Sequence, residues 1–255
     1  MGRPRLLLSN DDGYSAEGLQ ALADALERVG EVWVVAPNRE QSAVSHAVTL
    51  HRPLRLTRLA ERRYTVDGTP TDCVAVALGH LMAENPPDVV VSGINFGVNM
   101  GADVHYSGTV SAAFEGVISG VPAVAVSQQI GEGFGYVHAA AFARTVVEWV
   151  LENGLPRDTL LNVNVPVGPP RGVRLTRLGT RRYMEGVIED RDPRGRRILW
   201  IGGGDPIWEA SPGTDFPAVA DGYISVTPLH LDMTASSLLE ALRREPPEWA
   251  GDERG

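Results

Sequence analysis

Two adjacent carboxylates, Asp11 and Asp12, are the residues whose types and spacing most directly suggest chemistry. They follow the short apolar run 6–8, which is typical of a buried parallel strand. Ligands of open α/β sheets bind at the carboxyl ends of the strands. Because two neighbouring anions repel each other and lose solvation in a cleft, we expect a divalent cation between them. The alternative is that the pair only shapes a turn and caps the next helix.

Two further loops offer neutral oxygen donors at the same predicted edge of the sheet. Ser42 lies in a polar loop after a second apolar strand, and Asn95 lies in segment 93–101, which is too rich in Gly and Asn for regular structure. Carboxylate, hydroxyl and amide oxygens together favour Mg²⁺, Mn²⁺ or Ca²⁺, whereas Zn²⁺ favours His or Cys. Such a cation polarises a phosphoryl oxygen and activates a bound water.

The turn formed by Ser107, Gly108 and Thr109 begins a predicted helix. Its backbone N–H groups and two hydroxyls can bind an anion without a basic side chain. Simple capping of the helix by Ser107 or Thr109 is the alternative. His46 and His105 are candidate proton donors because they lie close to these loops in the sequence.

The elements that must position these side chains alternate between strand and helix along the first part of the chain. Helix caps are predicted at Ser15 and at Thr71 or Asp72, and Cys73 is expected to be a small buried apolar residue. A solvent-facing hairpin is predicted within the alternation. The core strands after the first are predicted at 32–35, 88–92, 123–126 and 160–165, and the hairpin is predicted at 54–66.

The character of the sequence changes near residue 171. We therefore predict a catalytic core at 1–170 and an extension at 171–255 that is not an independent domain. The extension contains a late strand at 223–227 and a terminal helix at 234–244, capped by Thr234.

Segment 181–201 predicts a long hairpin arm with a turn at 192–195. The apolar residues 198–201 on this arm have little local core to cover them. Such an arm more often packs on a partner subunit than extends into water. We therefore expect a homo-oligomer.

The amino-acid composition limits the class of protein that this chain can be. The 255 residues are 43% hydrophobic and 22% charged, as in an ordinary soluble globular protein. No stretch approaches the roughly 20 apolar residues of a membrane span. With one cysteine and a first strand that starts almost at once, a cytoplasmic protein without a signal peptide or membrane association is expected. The net charge of −9 argues against a nucleic-acid polymer as partner.

Three other classes place acidic or phosphate-binding groups after the first strand. A dinucleotide-binding module needs glycine spacing that the 9–13 turn lacks. A phosphorelay receiver uses a lysine, and all 23 basic residues here are arginine, which also excludes P-loop and Schiff-base chemistry. A haloacid-type phosphatase would have two aspartates separated by one residue, whereas these are adjacent.

The chain resembles the survival protein SurE family of metal-dependent nucleoside monophosphate phosphatases. The resemblance rests on six blocks in order between Leu6 and His230, namely LLLSNDDG, VVAPNREQSAVSH, GTPTDC, VVVSGINFGVNMG, SGTVSAAFEG and GYISVTPLH. It implies an α/β fold with a Rossmann-like, mostly parallel sheet and helices on both faces. It also implies a C-terminal extension that is exchanged between subunits of a dimer or tetramer.

The resemblance implies hydrolysis of nucleoside 5'- and 3'-monophosphates, and in some relatives of short-chain polyphosphate. It implies one divalent metal ion, Mg²⁺ or Mn²⁺ with Ca²⁺ as a further candidate, held by Asp11, Asp12, Ser42 and Asn95. The positions that match the phosphate side of the family site are Asn10, Asn99, Ser107, Gly108 and Thr109.

Two positions depart from the family pattern. Gln41 stands where Arg is common, so any cationic help there is missing or comes from Arg39. Phe96 occupies a slot that is usually small or polar, and it either narrows the pocket or stacks on a base. The expected mechanism is in-line attack by a metal-bound water that Asp11 or Asp12 orients or deprotonates, and the sequence leaves open which of the two is the base.

Overall fold

A nine-stranded mixed sheet forms the centre of the described part of the molecule, with strand order β3-β4-β2-β1-β5-β6-β7-β13-β8. The computed structural model describes residues 2–182, 187–201, 207–209, 211–245, 247 and 249. The strands are β1 (Arg5–Ser9), β2 (Glu31–Pro37), β3 (Leu56–Ala60), β4 (Arg63–Val66), β5 (Val89–Phe96), β6 (Ala123–Gln128), β7 (Thr159–Val165), β8 (Val173–Leu175), β9 (Arg181–Arg182), β10 (Val187–Arg191), β11 (Arg197–Ile201), β12 (Ile207–Trp208) and β13 (Ile224–His230).

Helices cover both faces of this sheet, which confirms the predicted fold class. A π-helical turn, Ala77–Leu81, extends α2, and a 3₁₀ turn, Gly101–His105, precedes α3. The helices are α1 (Glu17–Leu26), α2 (Pro70–Val76), α3 (Gly108–Ile118), α4 (Val137–Asn153), α5 (Asp215–Ala220) and α6 (Ser236–Arg244).

Side chains along β1 point alternately to the two faces of the sheet, so this strand contributes to two hydrophobic cores, one on each face. Leu6 and Leu8 pack on one face against α1 and α4, whereas Leu7 packs on the other face against α2 and α3. All three leucines are fully buried. Because the strand is covered on both sides, its sequence is a continuous apolar run and not an alternating one.

Parallel pairing places the carboxyl ends of the central strands at one edge of the sheet. Strands β4, β2, β1, β5, β6 and β7 run parallel, and Ser9 of β1 aligns with Ser92 of β5. The segments that follow β1, β2 and β5 therefore meet at this edge. The last two strands, β13 and β8, come from the chain after residue 170, and β13 pairs antiparallel with β7.

Strand β5 is longer than predicted. The Gly- and Asn-rich segment was expected to be a loop from residue 93, but β5 continues to Phe96, and Asn95 and Phe96 pair with Ser127 and Gln128 of β6. The register shifts between Ser92 and Asn95, so the strand is irregular there. The interstrand hydrogen bonds with β6 outweigh the low strand propensity of Gly and Asn.

Several predicted caps are wrong. Helix α1 begins after Ala16 without a side-chain cap, and α6 begins after Ala235, so neither Ser15 nor Thr234 is the N-cap. The cap of α2 is Thr69, whose hydroxyl accepts from the Asp72 N–H, while the Asp72 carboxylate accepts from the Thr69 N–H. This reciprocal capping box starts the helix two residues earlier than the Thr71 cap would.

The C-terminal arm forms the predicted hairpin where the structure describes it. Strands β10 and β11 pair antiparallel, and the turn is closed by hydrogen bonds between Asp192 and Arg196 and from Gly195 to Asp192. Residues 183–186 of the predicted arm lie outside the described residues. Leu199, Trp200 and Ile201 of β11 are exposed, with Ile201 at 95%, whereas Ile198 is partly buried. Exchange of this arm between subunits stays a prediction.

Within the described ranges, every helix falls short of the length and apolar character that a membrane-spanning segment requires.

Candidate active site

Asp11 is a buried carboxylate at the carboxyl end of β1. The Thr109 hydroxyl of α3 donates a hydrogen bond to its Oδ1 atom. The pKa of Asp11 is raised to about 6, chiefly by burial and also by the charge of Asp12, while the hydrogen bond from Thr109 acts in the opposite direction. In the absence of a cation, this carboxylate is therefore held in an environment that disfavours its charge.

Gly108 allows α3 to approach Asp11 closely. A Cβ atom at position 108 would lie 2.8 Å from the Asp11 Cβ atom and 3.1 Å from the Pro70 Cγ atom. The N-terminus of α3 consequently lies against the end of β1. Ser107 caps this helix by accepting a hydrogen bond from the Val110 N–H at 3.1 Å, which is the capping alternative considered from the sequence.

Asp12 is less buried and faces the end of β5. Its Oδ2 atom accepts a hydrogen bond from the Phe96 N–H at 3.0 Å. Burial raises the pKa of Asp12 above its usual value, the Phe96 hydrogen bond lowers it, and the charge of Glu40 raises it. Glu40, a third acidic side chain near this site, was not predicted from the sequence. Its position two residues before Ser42, in the same loop, is the sequence feature that could have indicated it.

Neither Asp11 nor Asp12 forms an ion pair with a basic side chain in the part of the chain that the structure describes. No cluster of three or more His, Cys, Asp or Glu side chains suited to a metal ion occurs among the described residues. Any cation here would therefore depend on two carboxylates supplemented by neutral oxygens. The uncompensated charge of the pair and the close approach of α3 at Gly108 fit such an ion.

Ser42 and Asn95, the neutral donors predicted from the sequence, lie in segments that reach the aspartate pair after β2 and at the end of β5. The Gln41 N–H donates to the Asp11 main-chain oxygen at 2.7 Å, which brings the loop after β2 to the aspartate pair. Ser42 itself is exposed, and its hydroxyl donates to Glu40 at 2.7 Å. The Asn95 Nδ2 atom donates to the Gly97 carbonyl at 2.9 Å, so its Oδ1 atom remains available as an oxygen donor.

Asn10 is fully buried beside the aspartates. Its Nδ2 atom donates to the Gly13 carbonyl at 3.0 Å, and its Oδ1 atom has no hydrogen-bond partner in the described residues. A buried amide oxygen without a partner is uncommon in folded proteins. It is available to a bound water or ligand at this edge.

Asn99 lies in the segment after β5 and is anchored to β6 and β7. Its main-chain N–H donates to the Asn164 Oδ1 atom at 2.8 Å, and its carbonyl accepts from Asn162 and Asn164 at 2.8 and 3.0 Å. The Asn99 Nδ2 atom donates to Ser127 at 2.9 Å. Sequence analysis missed Asn162 and Asn164, because a pair of asparagines within a strand has no recognisable motif.

The two candidate histidines lie around a different cavity. His46 and His105 line a cavity of about 570 Å³ together with Phe114 and Leu229. The His46 Nε2 atom lies 3.0 Å from a carboxylate oxygen of Glu115. Ser111 and Phe114 of α3 line this cavity, whereas Gly108 and Thr109 of the same helix contact Asp11. Among the described residues, neither histidine forms a hydrogen bond or ion pair with Asp11 or Asp12.

Three aromatic rings contact one another in series beside the end of β5, and we call them the aromatic rim: Phe96, Phe134 and Tyr136. The Phe96 main chain donates to Asp12, and the charge of Asp12 acts on Tyr136. Phe96 and Phe134 form a T-shaped pair with ring centroids 5.2 Å apart, and Phe134 and Tyr136 form another at 5.0 Å. Burial raises the pKa of Tyr136 to about 12, and the charges of Asp12 and Glu17 act in the same direction. Phe134 and Tyr136 were not predicted as site residues.

Comparison with known proteins identifies the family of the chain. The family model "Survival protein SurE" matches residues 6–185. A 5'-nucleotidase SurE from Anaeromyxobacter sp. (strain Fw109-5) is 56% identical over 241 residues, or 94% of each chain. A 5'-nucleotidase SurE from Geobacter sulfurreducens is 53% identical over 242 residues, covering 93% of this chain and 92% of the relative.

A solved structure is similar over nearly the whole chain. The crystal structure of the SurE protein from Aquifex aeolicus matches with a TM-score of 0.84 and 42% identity, covering 96% of this chain and all of that one. At this identity and coverage, the likeness extends beyond the fold to the sequence. The chain belongs to the survival protein SurE family.

Proposed function

We propose that this protein is a 5'-nucleotidase that hydrolyses nucleoside 5'-monophosphates to nucleoside and phosphate with one divalent cation. The observation that carries the proposal is the adjacent pair Asp11 and Asp12, which lies against the N-terminus of α3 without a basic partner in the described chain. The name 5'-nucleotidase SurE, carried by relatives more than 50% identical to this chain, supports it.

Asp11 and Asp12 would hold the cation through their carboxylates, and Asn95 Oδ1 and the Ser42 hydroxyl would complete the donor set. Oxygen donors of this kind favour Mg²⁺ or Mn²⁺, with Ca²⁺ as a third candidate. When bound, the ion would polarise the phosphoryl group and lower the pKa of a coordinated water.

The residues of the chain supply binding, orientation and proton transfer. The N–H groups of Gly108 and Thr109, at the positive end of the α3 dipole, would bind the non-bridging phosphate oxygens. Ser107, Asn10 and Asn99 would complete the phosphate side. Thr109 also orients Asp11 through its hydroxyl.

One of the two aspartates would orient or deprotonate the attacking water, which then displaces the nucleoside. The environments of the two carboxylates differ. Asp11 is held by the side chain of Thr109, whereas Asp12 is held by the main chain of Phe96 and is less buried. The site as proposed recognises the phosphoryl group itself, so nucleoside 3'-monophosphates and short-chain polyphosphate belong to the same proposal.

A homo-oligomer is part of this proposal. Leu199, Trp200 and Ile201 on β11 are more than half exposed, and such an apolar surface is best explained by a partner subunit. We propose a dimer or tetramer in which the arm at 181–201 packs on a neighbouring copy.

The experiment that tests the activity is phosphate release from a panel of nucleoside 5'- and 3'-monophosphates and polyphosphate. Each is assayed with EDTA, Mg²⁺, Mn²⁺ or Ca²⁺, for the wild type and for Asp12→Asn. We expect release that requires a cation and that the substitution abolishes. Absence of release from every substrate under every condition would overturn the proposed activity.

A further inference from the structure

We propose that the aromatic rim is the nucleobase-recognition surface of this enzyme, with Phe96 as the stacking residue and Phe134 and Tyr136 as its supports. The inference rests on the proposed nucleotidase function and adds to it a subsite that binds the base of the substrate. It predicts that nucleotides are preferred over phosphate esters without a base, and purines over pyrimidines because a larger ring system covers more of the platform.

The main chain of Phe96 ties the rim to the reacting end of the site. Its N–H donates to the Asp12 Oδ2 atom at 3.0 Å, so the residue that carries the ring also contacts a proposed metal ligand. A ligand whose phosphate lies at Asp12 would therefore sit beside the strand end that carries the Phe96 ring. The strand pairing of Phe96 with Gln128 fixes this position.

The Phe96 ring is exposed and yet held in orientation. It is 52% exposed. Phe134 contacts it at an interplanar angle of 72°, and Tyr136 contacts Phe134 at 80°. A T-shaped contact uses the edge of one ring, so it leaves at least one face of Phe96 uncovered by Phe134.

The surroundings of the ring also favour a flat apolar ligand. Ile130 is 51% exposed, and its Cδ1 atom lies 3.6 Å from where a Cβ atom would sit on Gly97, the residue after Phe96. Asp12 and Glu17, whose charges act on Tyr136, are both acidic. A neutral base can stack beside such groups without charge repulsion. The rim therefore suits the base end of a nucleotide.

The test compares AMP with ribose 5-phosphate, which carries the same phosphate and sugar but no base. We expect Phe96→Ala to lower the ratio of kcat/KM for AMP to that for ribose 5-phosphate by about 10-fold, the effect of losing one base-stacking contact. Phe96→Tyr, which keeps an aromatic ring, should restore the wild-type ratio. Phe134→Leu should lower the ratio less than Phe96→Ala, because it removes the support and not the platform.

The matched control is Trp149→Ala on α4. Trp149 is 51% exposed, so the substitution removes a comparable aromatic side chain far along the chain from the site. The ratio of kcat/KM for AMP to that for ribose 5-phosphate in Trp149→Ala should equal the wild-type ratio. Equal losses on AMP and ribose 5-phosphate in Phe96→Ala would overturn the inference, as would an altered sedimentation coefficient in that variant with an unchanged ratio, since the rim would then be a subunit contact.

A binding measurement separates this inference from the proposed activity. Adenosine and ribose are titrated into the metal-free wild type and Phe96→Ala, and binding is followed by NMR line broadening of the ligand. Adenosine binding that weakens about 10-fold in Phe96→Ala supports the stacking surface even if no substrate is hydrolysed. Absence of adenosine binding, or equal binding to both proteins, overturns the stacking surface even if AMP is hydrolysed.

Discussion

The Thr109 hydroxyl donates a hydrogen bond to the Asp11 carboxylate, and 98 residues of chain separate the two. The contact joins the first turn of α3 to the carboxyl end of β1. It places the N-terminus of α3 and a buried carboxylate at the same point. The geometry of the proposed site therefore depends on this bond.

Thr109→Val removes the donor and keeps the shape of the side chain. We expect the variant to lose about 1–2 kcal/mol of unfolding free energy in EDTA, since a buried carboxylate oxygen loses its partner. Phosphate release should also fall, and Thr109→Ser should restore both quantities. Urea unfolding and the phosphate assay provide the measurements. A Val variant as stable as the wild type would show that the bond does not hold Asp11 in place.

Asp11→Asn and Asp12→Asn each remove one anionic donor. Because the cation contributes several kcal/mol to stabilising the transition state, we expect phosphate release to fall at least about 100-fold. Mg²⁺ and Mn²⁺ should raise the Tm of the wild type and leave the Tm of both variants unchanged. Asp24→Asn, an exposed position on α1, is the matched control and should behave like the wild type. Full activity of Asp11→Asn at saturating metal would contradict its role as ligand and base.

Gly108→Ala tests the close approach of α3 to β1. The added Cβ atom would lie 2.8 Å from the Asp11 Cβ atom, so the helix must shift. We expect a loss of about 1–3 kcal/mol of unfolding free energy, together with weaker metal binding by isothermal titration. Gly79→Ala is the control, because no atom lies within 4 Å of its added Cβ. That change should stabilise the protein by about 0.5–1 kcal/mol.

Cys73 should give the stability a pH dependence in alkaline solution. Burial raises the pKa of its thiol well above the usual value, and Asp72 acts in the same direction. The folded state thus favours the neutral thiol. The free energy of unfolding that the buried neutral thiol contributes is fully present below the unfolded-state pKa of about 8.5. Above that pH it is lost at about 1.4 kcal/mol per pH unit.

Cys73→Ala should remove this alkaline loss. The measurement is urea unfolding of both proteins across neutral and alkaline pH. The difference in unfolding free energy should be constant at neutral pH and change as the pH rises. A constant difference throughout would mean that the thiol ionises as freely in the folded protein as in the unfolded chain. The native thiol should also resist Ellman's reagent until the protein is denatured.

The apolar arm should control assembly. Replacing both Trp200 and Ile201 by Ser should shift sedimentation of the protein towards smaller species, because these side chains are 62% and 95% exposed in the single chain. Arg194→Ser, at the polar turn of the same hairpin, is the matched control. A wild type that sediments as a monomer would contradict the proposed oligomer directly.

The sequence by itself determined the sheet and the position of the aspartates. Apolar runs such as 6–8 and 89–91, each followed by turn residues, are typical of strands buried on both faces, and this predicts parallel pairing with helices on either side. The carboxyl ends of such strands meet at one edge. The convergence of Asp11 with the segment around Asn95 follows from that rule.

Only the tertiary structure decided how those groups are held. The extension of β5 to Phe96 depends on pairing with β6, and the Thr69 cap depends on a reciprocal bond with Asp72, which local propensity does not distinguish from a Thr71 cap. The Asn99 anchorage and the aromatic rim join residues distant in the chain. Their geometry comes from long-range packing, which residue types and short spacings do not encode.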